Sequence, residues 1–420
     1  MLNLTVKQVV SGIVLGLLLG EFAAAQENHE GDHAPLATSE SLTFSSVFEA
    51  ALTNAPESIA GPVRRQQAED YADSAKSWIT GRPSWEINYI DDGVLDDVGL
   101  REIESGVQVN LWRPGERRHA QRLGQSYGLQ AQAWTNYLQL LVAGRVRANL
   151  AAITRAQAML ELERRATTNT EQLLDISQQM FESGAIPQLD VLQAQSLLLQ
   201  QRKIEFDAEA ELVDAEREYS VLTNMQMRPA RAHSEVQSTL EEIPASHPTL
   251  RFLRSGIELA QANIGKLKRE SSGSPTMMFG VRRERGDRLH PYTDSLGVSF
   301  SIPFGGGASV SADVSNARRG EVDAEIQLLA TRRKLNAQLH EVEHELFLIN
   351  QSLQLSESQT AITQQRYQMA IAAFESGETD LTQVIIALQQ ANASEMELEG
   401  LRLSRQSLIT EYNQTIGILP

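Results

Sequence analysis

The 420-residue chain contains no cysteine. Its absence excludes disulfides, thiolate metal sites, cysteine nucleophiles and attachment of a lipid to an N-terminal cysteine. Aromatic residues make up only 5% of the chain, which is less than a dense globular core normally uses. A formal net charge of −17 argues against a nucleic-acid partner, which requires clustered basic residues. What remains is a composition typical of long helices rich in alanine, leucine, glutamine, glutamate and arginine.

Long apolar runs are also absent from most of the chain. The run from Val9 to Leu19 follows Lys7 and precedes three alanines at 23–25. This layout predicts a secretory signal peptide over residues 1–25, and an uncleaved anchor helix is the alternative. After Gln26 no segment approaches the ~18 to 20 consecutive apolar residues that a membrane-spanning helix needs. If the exported protein enters a membrane, we therefore expect β-strands closed into a barrel.

A flexible acidic tail is predicted from residue 26 to residue 40. It contains His29 and His33 beside several carboxylates. These two histidines are weak candidates for transient binding of a divalent cation, and a solvated tail is the simpler interpretation. The sequence predicts no firm metal site, no catalytic set and no cofactor.

The rest of the chain repeats itself with an offset close to 192 residues. The matching landmarks are FESG at 181–184 and 374–377, the strand-like segments 106–111 and 297–302, and Pro83 and Pro275 before two further strand-like segments. A nearly constant offset predicts two copies of one unit, at 41–230 and 231–420. Each copy is expected to fold as helix, strand, strand, very long helix, turn and long helix.

The strand-like segments alternate apolar and polar residues, as in the run of Trp85, Ile87 and Tyr89. Alternation gives a strand one apolar face and one polar face. A small soluble sheet would show the same pattern, but runs of about nine residues with interfacial aromatics are typical of tilted membrane strands. Because even the smallest membrane barrels use ~8 strands, four strands per chain predict a barrel shared among several chains.

Helices account for most of the remaining sequence. No proline occurs between Gly115 and Phe181, and one helix over that span would be roughly 100 Å long. Heptad spacing occurs in two stripes, which are interpreted as packing between helices that lie side by side. The stripes are Leu335, Leu339, Val342, Leu346, Ile349 and Leu353, and, at every seventh residue, Leu192, Leu199, Phe206 and Val213. Gly184 and Gly377, at the ends of the FESG segments, predict the turns at the helix-pair tips.

Together these features resemble the TolC-type outer-membrane efflux family. The resemblance rests on the two repeats, the paired strands, and a tip of the form Gly-x5-Asp-Val-Leu at 184–192. Segments 281–307 and 111–123 are most similar to the CzcC-like outer-membrane component of heavy-metal resistance-nodulation-division exporters.

The resemblance implies a mainly α-helical fold with a small β part. Each chain of a homotrimer would give four strands to a twelve-stranded β-barrel in the outer membrane of a Gram-negative bacterium. Its long coiled-coil helices would form a periplasmic α-barrel that docks on a periplasmic adaptor protein and an inner-membrane pump. The implied function is a passive exit duct, without enzymatic activity or cofactor, for divalent heavy-metal cations. Organic toxicants or drugs, or a type I secretion system, are the alternatives.

Members of this family narrow the periplasmic end of the channel with a ring of acidic residues. The corresponding positions here are Gln383 and Ile386, so this sequence departs from the pattern. Other tip carboxylates are predicted to form a constriction that attracts cations, and solvated helix-end charges are the alternative. The candidate residues at the tips are the carboxylates Asp190, Glu375, Glu378 and Asp380, together with the neutral Gln383.

One motif indicates a different class of protein. Residues 340–344 read HEVEH, the spacing that places two zinc ligands on one face of a helix in zinc proteases. Val342 belongs to a heptad stripe, so His340 and His344 are expected on the opposite, polar side of an exposed helix. A secreted metallohydrolase and a periplasmic coiled-coil adaptor are therefore the weaker alternatives.

Overall fold

The computed structural model describes residues 35–94, 96–270, 273–305 and 307–420. The predicted signal peptide, His29 and His33 lie outside the described residues. The chain divides into two compact units, and each unit takes residues from both predicted repeats. Unit 1 consists of the N-terminal part through Ala55, Leu141–Glu241 and Gln338–Pro420, and unit 2 consists of Pro56–Leu140 and Glu242–Ala337. The repeat boundary between residues 230 and 231 stays a prediction.

The described chain is mainly helical and shows the predicted order of elements twice. The first half contains β1 (Ala37–Ser39), α1 (Phe44–Asn54), a 3-10 turn (Pro56–Ile59), α2 (Ala60–Lys76), β2 (Ile79–Asp91), β3 (Arg101–Leu111), α3 (Glu116–Glu182), α4 (Gln188–Thr223) and β4 (Met227–Pro229). The second half contains α5 (Pro248–Glu270), β5 (Thr276–Arg285), β6 (Thr293–Ser301), α6 (Gly307–Glu375) and α7 (Leu381–Ile416). The long proline-free helix predicted between residues 115 and 181 is therefore confirmed as α3.

The flexible tail was predicted to extend to residue 40, but this boundary is wrong because residues 37–39 form a strand. β1 pairs in parallel with β4, with Thr38 opposite Arg228. The Glu216 carboxylate fixes this pair within unit 1: it accepts a hydrogen bond from the Leu36 backbone N–H at 2.6 Å and pairs with the buried Arg228 guanidinium. Strands of three residues are too short to show an alternation of apolar and polar residues. The pairing of β1 with β4 therefore could not be predicted from the sequence.

Unit 2 contains a four-stranded antiparallel sheet in the order β2-β3-β5-β6. The central β3–β5 pair joins the two halves of the sequence, with Gly106 opposite Gly280. Pro83 was expected to precede a strand, but β2 begins earlier, at Ile79. The register shifts between Thr80 and Ser84, and this bulge accommodates a proline because it leaves the ladder locally unpaired.

In unit 1, Arg147 of α3 holds the segment 231–241 that follows β4. The Arg147 guanidinium donates to both carboxylate oxygens of Glu235, at 2.7 and 3.3 Å, and to the Gln414 side chain of α7 at 2.7 Å. Asn413 donates to the same carboxylate at 2.8 Å. Burial alone would raise the pKa of Glu235, but hydrogen bonds from His233, Arg147 and Asn413 outweigh it and lower the pKa to about 2.

This pair predicts that segment 231–241 is held less tightly in acid. The pKa of Glu235 in the fold lies below the value of about 4.3 expected for an unfolded glutamate. Its stabilising contribution is therefore complete above that unfolded value and is lost as the pH falls toward 2. Hydrogen exchange of residues 231–241, corrected for intrinsic rates, should show protection that declines between pH 5 and pH 3.

Glu235→Gln should abolish most of this protection already at pH 7. The variant leaves the buried Arg147 cation unpaired, which typically costs about 3 to 5 kcal/mol. Glu40→Gln is the matched control, because the Glu40 carboxylate pairs with Arg231 of the same segment at 3.0 Å but is largely exposed. It should exchange like the unmodified chain. Equal protection in the two variants would contradict the conclusion that Glu235 holds segment 231–241 in place.

Candidate functional site

The four-stranded sheet of unit 2 presents one apolar face. Residues directly opposite each other in an antiparallel sheet point to the same side. The pairing register aligns two rows that are apolar except for Ser105. They are Trp85, Val107, Phe279 and Val298, and Ile87, Ser105, Val281 and Leu296. Trp85 is 68% exposed and Leu296 is 87% exposed, so these two rows are largely open. The alternation predicted from the sequence is confirmed.

The other face of the sheet is polar and acidic. The register aligns Asn88, Glu104, Arg282 and Ser295 in one row and Glu86, Gly106, Gly280 and Gly297 in the next. Arg282 donates to the Glu102 carboxylate at 2.8 Å, so part of the negative charge on this face is paired. A Cβ atom on Gly106 would lie 2.5 Å from the Phe279 carbonyl oxygen, which only glycine avoids. The face is suited to contact with water.

Both edges of this sheet are open in the part of the chain that the structure describes. β2 pairs only with β3, and β6 pairs only with β5. These edge strands are 13 and 9 residues long. A long edge strand with apolar residues leaves a row of N–H and C=O groups that normally find a partner.

The two FESG tips, both in unit 1, have the same backbone geometry. Gly184 and Gly377 adopt φ values of +77° and +76°, the left-handed conformation that glycine tolerates. The Gly184 N–H donates to the Phe181 carbonyl and the Ala185 N–H to the Met180 carbonyl. The equivalent bonds form from Gly377 and Glu378. This Schellman pattern ends α3 and α6 in the same way, at the glycines of the two FESG segments.

One apolar cluster joins the two tips. It brings together side chains from α3, α4, α6 and α7, all within unit 1. The buried members are Leu173, Ala194, Tyr367, Phe374, Leu381, Val384, Ile385, Ala387, Leu388 and Ala391. Ile186, between Gly184 and α4, packs against it, and Leu381 lies next to Asp380. The cluster thus places the two carboxylate-bearing tips at the same end of unit 1.

The predicted tip residues differ in their local roles. The Asp380 carboxylate is the N-cap of α7 and accepts a hydrogen bond from the Gln383 backbone N–H at 3.0 Å. Asp190 lies in the first turn of α4, where a negative charge interacts favourably with the helix dipole. Glu375, Glu378 and Gln383 are exposed. Asp380 therefore has a structural role as well as a charge, and a role of these residues in a constriction stays a prediction.

The sequence around the two tips also lacks basic residues. No lysine or arginine occurs between Arg165 and Arg202, or between Arg366 and Arg402. The helix segments on either side of both tip turns therefore carry carboxylates without any basic residue. Counting basic residues around the FESG segments would have revealed this acidic end.

The two histidines of the HEVEH segment lie on the exposed side of α6. Val342 is buried together with Leu339 and Leu346, as the heptad stripe predicted, whereas His340 and His344 are both exposed. No group of three metal-ligating side chains is found within residues 35–94, 96–270, 273–305 and 307–420. In the same residues, none of the helices has an apolar stretch long enough to traverse a bilayer.

Residues 96–224 match the family model described as outer membrane efflux protein. A search of curated protein sequences gives no match. The chain has the fold of CusC, a transmembrane channel, with a TM-score of 0.73 and 14% identity over 92% of this chain and 97% of that one.

Two further solved structures share the fold. VceC, an outer membrane protein of Vibrio cholerae, has a TM-score of 0.71 and 15% identity over 89% of this chain and 96% of its own. CmeC, an outer membrane channel of Campylobacter jejuni, has a TM-score of 0.68 and 14% identity over 89% of this chain and 85% of its own. The matched family is described as an outer membrane efflux protein, and CusC and CmeC are described as channels.

Proposed function

We propose that this protein is the outer-membrane channel component of a tripartite efflux pump. The observation that carries the proposal is the four-stranded sheet with one exposed apolar face, one polar face and two open edges. In a bilayer such a sheet can pair its edges only by closing with other strands. Three copies would supply twelve strands, with the apolar face toward lipid and the acidic face toward a water-filled lumen. The shared fold and the family match over residues 96–224 support this function.

The partners in this proposal are two further copies of the chain, outer-membrane lipid, a periplasmic adaptor protein and an inner-membrane pump. The channel would be a passive duct, and the pump would supply the energy. The tips of unit 1 are the proposed docking end, because they combine a rigid apolar cluster with exposed carboxylates. Heavy-metal cations are the proposed substrate, on the basis of the acidic tips and the sequence resemblance.

The face assignment predicts opposite effects for neighbouring substitutions in β2. Ile87 is on the apolar face and 68% exposed, so Ile87→Arg would put a charge into lipid. Such a charge costs about 2 to 4 kcal/mol near the middle of the bilayer. Asn88→Arg is the matched control, because Asn88 lies on the polar face opposite Glu104. Ile87→Arg should strongly reduce the amount of trimer in the outer-membrane fraction, and Asn88→Arg should preserve both trimer and single-channel conductance.

Equal tolerance of both arginines would contradict the lipid-facing assignment. A chain that fractionates as a soluble periplasmic monomer would overturn the channel proposal itself. The amount of heat-sensitive trimer on gels, measured beside conductance in planar bilayers, distinguishes these outcomes.

The tip carboxylates are proposed to make the channel prefer cations. Asp190→Asn, Glu378→Gln and Asp380→Asn together remove three negative charges per chain, and asparagine at 380 retains an N-cap oxygen. The cation-to-anion permeability ratio, from the reversal potential in a salt gradient, should fall several-fold. Gln383→Glu adds a charge at the same end and should raise the ratio. An unchanged ratio in both variants would contradict a constriction at the tips.

The metal assignment has a separate test. Deleting the gene should sensitise cells to divalent heavy-metal cations in a panel that also contains organic toxicants. Unchanged metal tolerance with new sensitivity to organic compounds would favour a channel for drugs or toxicants instead.

A further inference from the structure

The apolar face of the sheet becomes charged at the end of the strands that lies farthest from the helices. The helices connect at the other end, next to Ile79, Leu111, Thr276 and Ser301. Two rows follow the row of Ile87 on the same face, because the two faces alternate along each strand. They are Tyr89, Ile103, Arg283 and Asp294, and then Asp91, Arg101 and Arg285.

Three guanidinium groups of these rows surround one aromatic ring. The guanidinium carbons of Arg283 and Arg285 lie 5.3 and 4.9 Å from the centre of the Tyr292 ring. Arg101 interacts with the same side chain. We call these four residues the arginine cluster. The three arginines belong to β3 and β5, the two central strands of the sheet, so the cluster lies away from the open edges.

Two carboxylates accompany the arginine cluster. Asp294 pairs with Arg283 at 3.3 Å, and both side chains are more than half exposed. Asp91 pairs with Arg101 at 2.8 Å, and the same carboxylate oxygen accepts a hydrogen bond from the Tyr89 hydroxyl at 2.8 Å. Asp91 therefore fixes the position of the Arg101 guanidinium.

Arg285 is the member of the cluster that has no carboxylate partner among the described residues. Its Nε atom donates to the Gly99 backbone carbonyl at 3.0 Å, which orients the guanidinium without neutralising it. Three guanidinium groups and two carboxylates leave one positive charge at this place on a chain whose net charge is −17. The uncompensated charge favours an anion as an additional partner.

The adjoining loops contain four carboxylates, and three of them are bonded within these loops. Asp92 accepts a hydrogen bond from a backbone N–H at 3.0 Å, Asp97 pairs with Arg288, and Asp287 accepts from two backbone N–H groups. The fourth, Asp96, is exposed. None of the four forms an ion pair with the arginine cluster in the part of the chain that the structure describes.

A groove lies beside the arginine cluster on the apolar face. It has a volume of about 470 Å³ and runs past Ser105, the one small polar residue of its row. Its apolar lining comes from Ile103, Val281 and Leu296, and Arg283 also contacts it. A hydrocarbon chain fits such a groove, and the long arginine side chains can extend from it toward a polar headgroup.

We propose that the arginine cluster and this groove bind a phosphate-bearing lipid of the outer leaflet, with the phosphate on the guanidinium groups and an acyl chain in the groove. Guanidinium groups donate paired hydrogen bonds that match the geometry of phosphate. The cluster continues the face that the proposed channel turns toward lipid, which favours a lipid phosphate over a dissolved anion. The inference rests on the proposed function, because periplasmic helices place this end of the strands in the outer leaflet.

Binding of a labelled lipid to the purified trimer tests this proposal. The probe is fluorescent diphosphoryl lipid A, a phosphorylated glycolipid, added to trimer in an uncharged detergent. Arg285→Gln should weaken binding roughly ten-fold, because it removes a charged hydrogen-bond donor. Arg288→Gln is the matched control: it removes the same charge from the adjoining loop, where Arg288 pairs with Asp97. Its affinity should stay close to that of the unmodified trimer.

Two further variants separate charge, hydrogen-bond geometry and the groove. Arg285→Lys keeps the charge but not the planar guanidinium, so its affinity should fall between those of arginine and glutamine. Ser105→Leu fills the groove without changing any charge and should weaken lipid binding several-fold. Inorganic phosphate in millimolar excess should not displace the lipid. Displacement by phosphate together with normal binding by Ser105→Leu would show a site for dissolved anions and overturn the lipid assignment.

Each variant is also assayed for heat-sensitive trimer and for conductance. Unchanged lipid binding by Arg285→Gln in a conducting trimer would overturn the inference, and the proposed function would stand. If Arg285→Gln does not assemble, unchanged binding by both Arg285→Lys and Ser105→Leu would overturn it instead. An unmodified chain that forms neither a trimer nor a conducting channel would refute the proposed function itself.

Discussion

Unpaired backbone groups at the sheet edges are the constraint on which the rest of this structure depends. β2 and β6 expose N–H and C=O groups along strands whose side chains on one face are apolar. Water cannot satisfy those groups inside a bilayer, where each unpaired group costs several kcal/mol. A chain with four such strands cannot close a barrel by itself. The proposed assembly follows from this constraint, since every edge strand finds a partner in a neighbouring copy.

The helices of unit 1 also leave groups at their outer edges that one chain does not cover, although the energetic cost is smaller there. Their inner faces pack within one chain, as the buried seam at Leu339, Val342 and Leu346 shows. Their outer edges keep apolar side chains in contact with solvent. Burying one such leucine or phenylalanine contributes about 1.5 to 3 kcal/mol. Burial of several of these side chains would therefore contribute a free energy comparable to the total stability of an ordinary domain. The scarcity of aromatic residues fits a protein that builds little core within one chain and completes its burial with others.

The sequence predicted those elements that depend on local chemistry. The absence of proline predicted α3, the glycine-ended FESG segments predicted two Schellman turns, and alternation predicted the sheet faces. The sequence did not predict features that depend on which residues other parts of the fold bury. Heptad spacing looks the same whether or not another helix of the chain covers the stripe, so it does not distinguish the exposed Leu199 from the buried Val342. The short β1–β4 pair and the bulge near Pro83 depend on contacts between distant segments, which no periodicity reports.

At the tips, apolar burial holds the two turns of one chain together, whereas repulsion between carboxylates opposes this. The magnitudes of the two interactions decide which one dominates. Buried Phe374 and Leu381 together contribute roughly 3 to 6 kcal/mol to the cluster that joins the two tips of one chain. Two exposed carboxylates 10 Å apart in water repel each other by only about 0.4 kcal/mol, and salt reduces this further. Repulsion therefore cannot separate the tips within a chain. Between chains, the lack of nearby lysine or arginine leaves these charges uncompensated. Uncompensated carboxylates of this kind attract cations and basic surfaces.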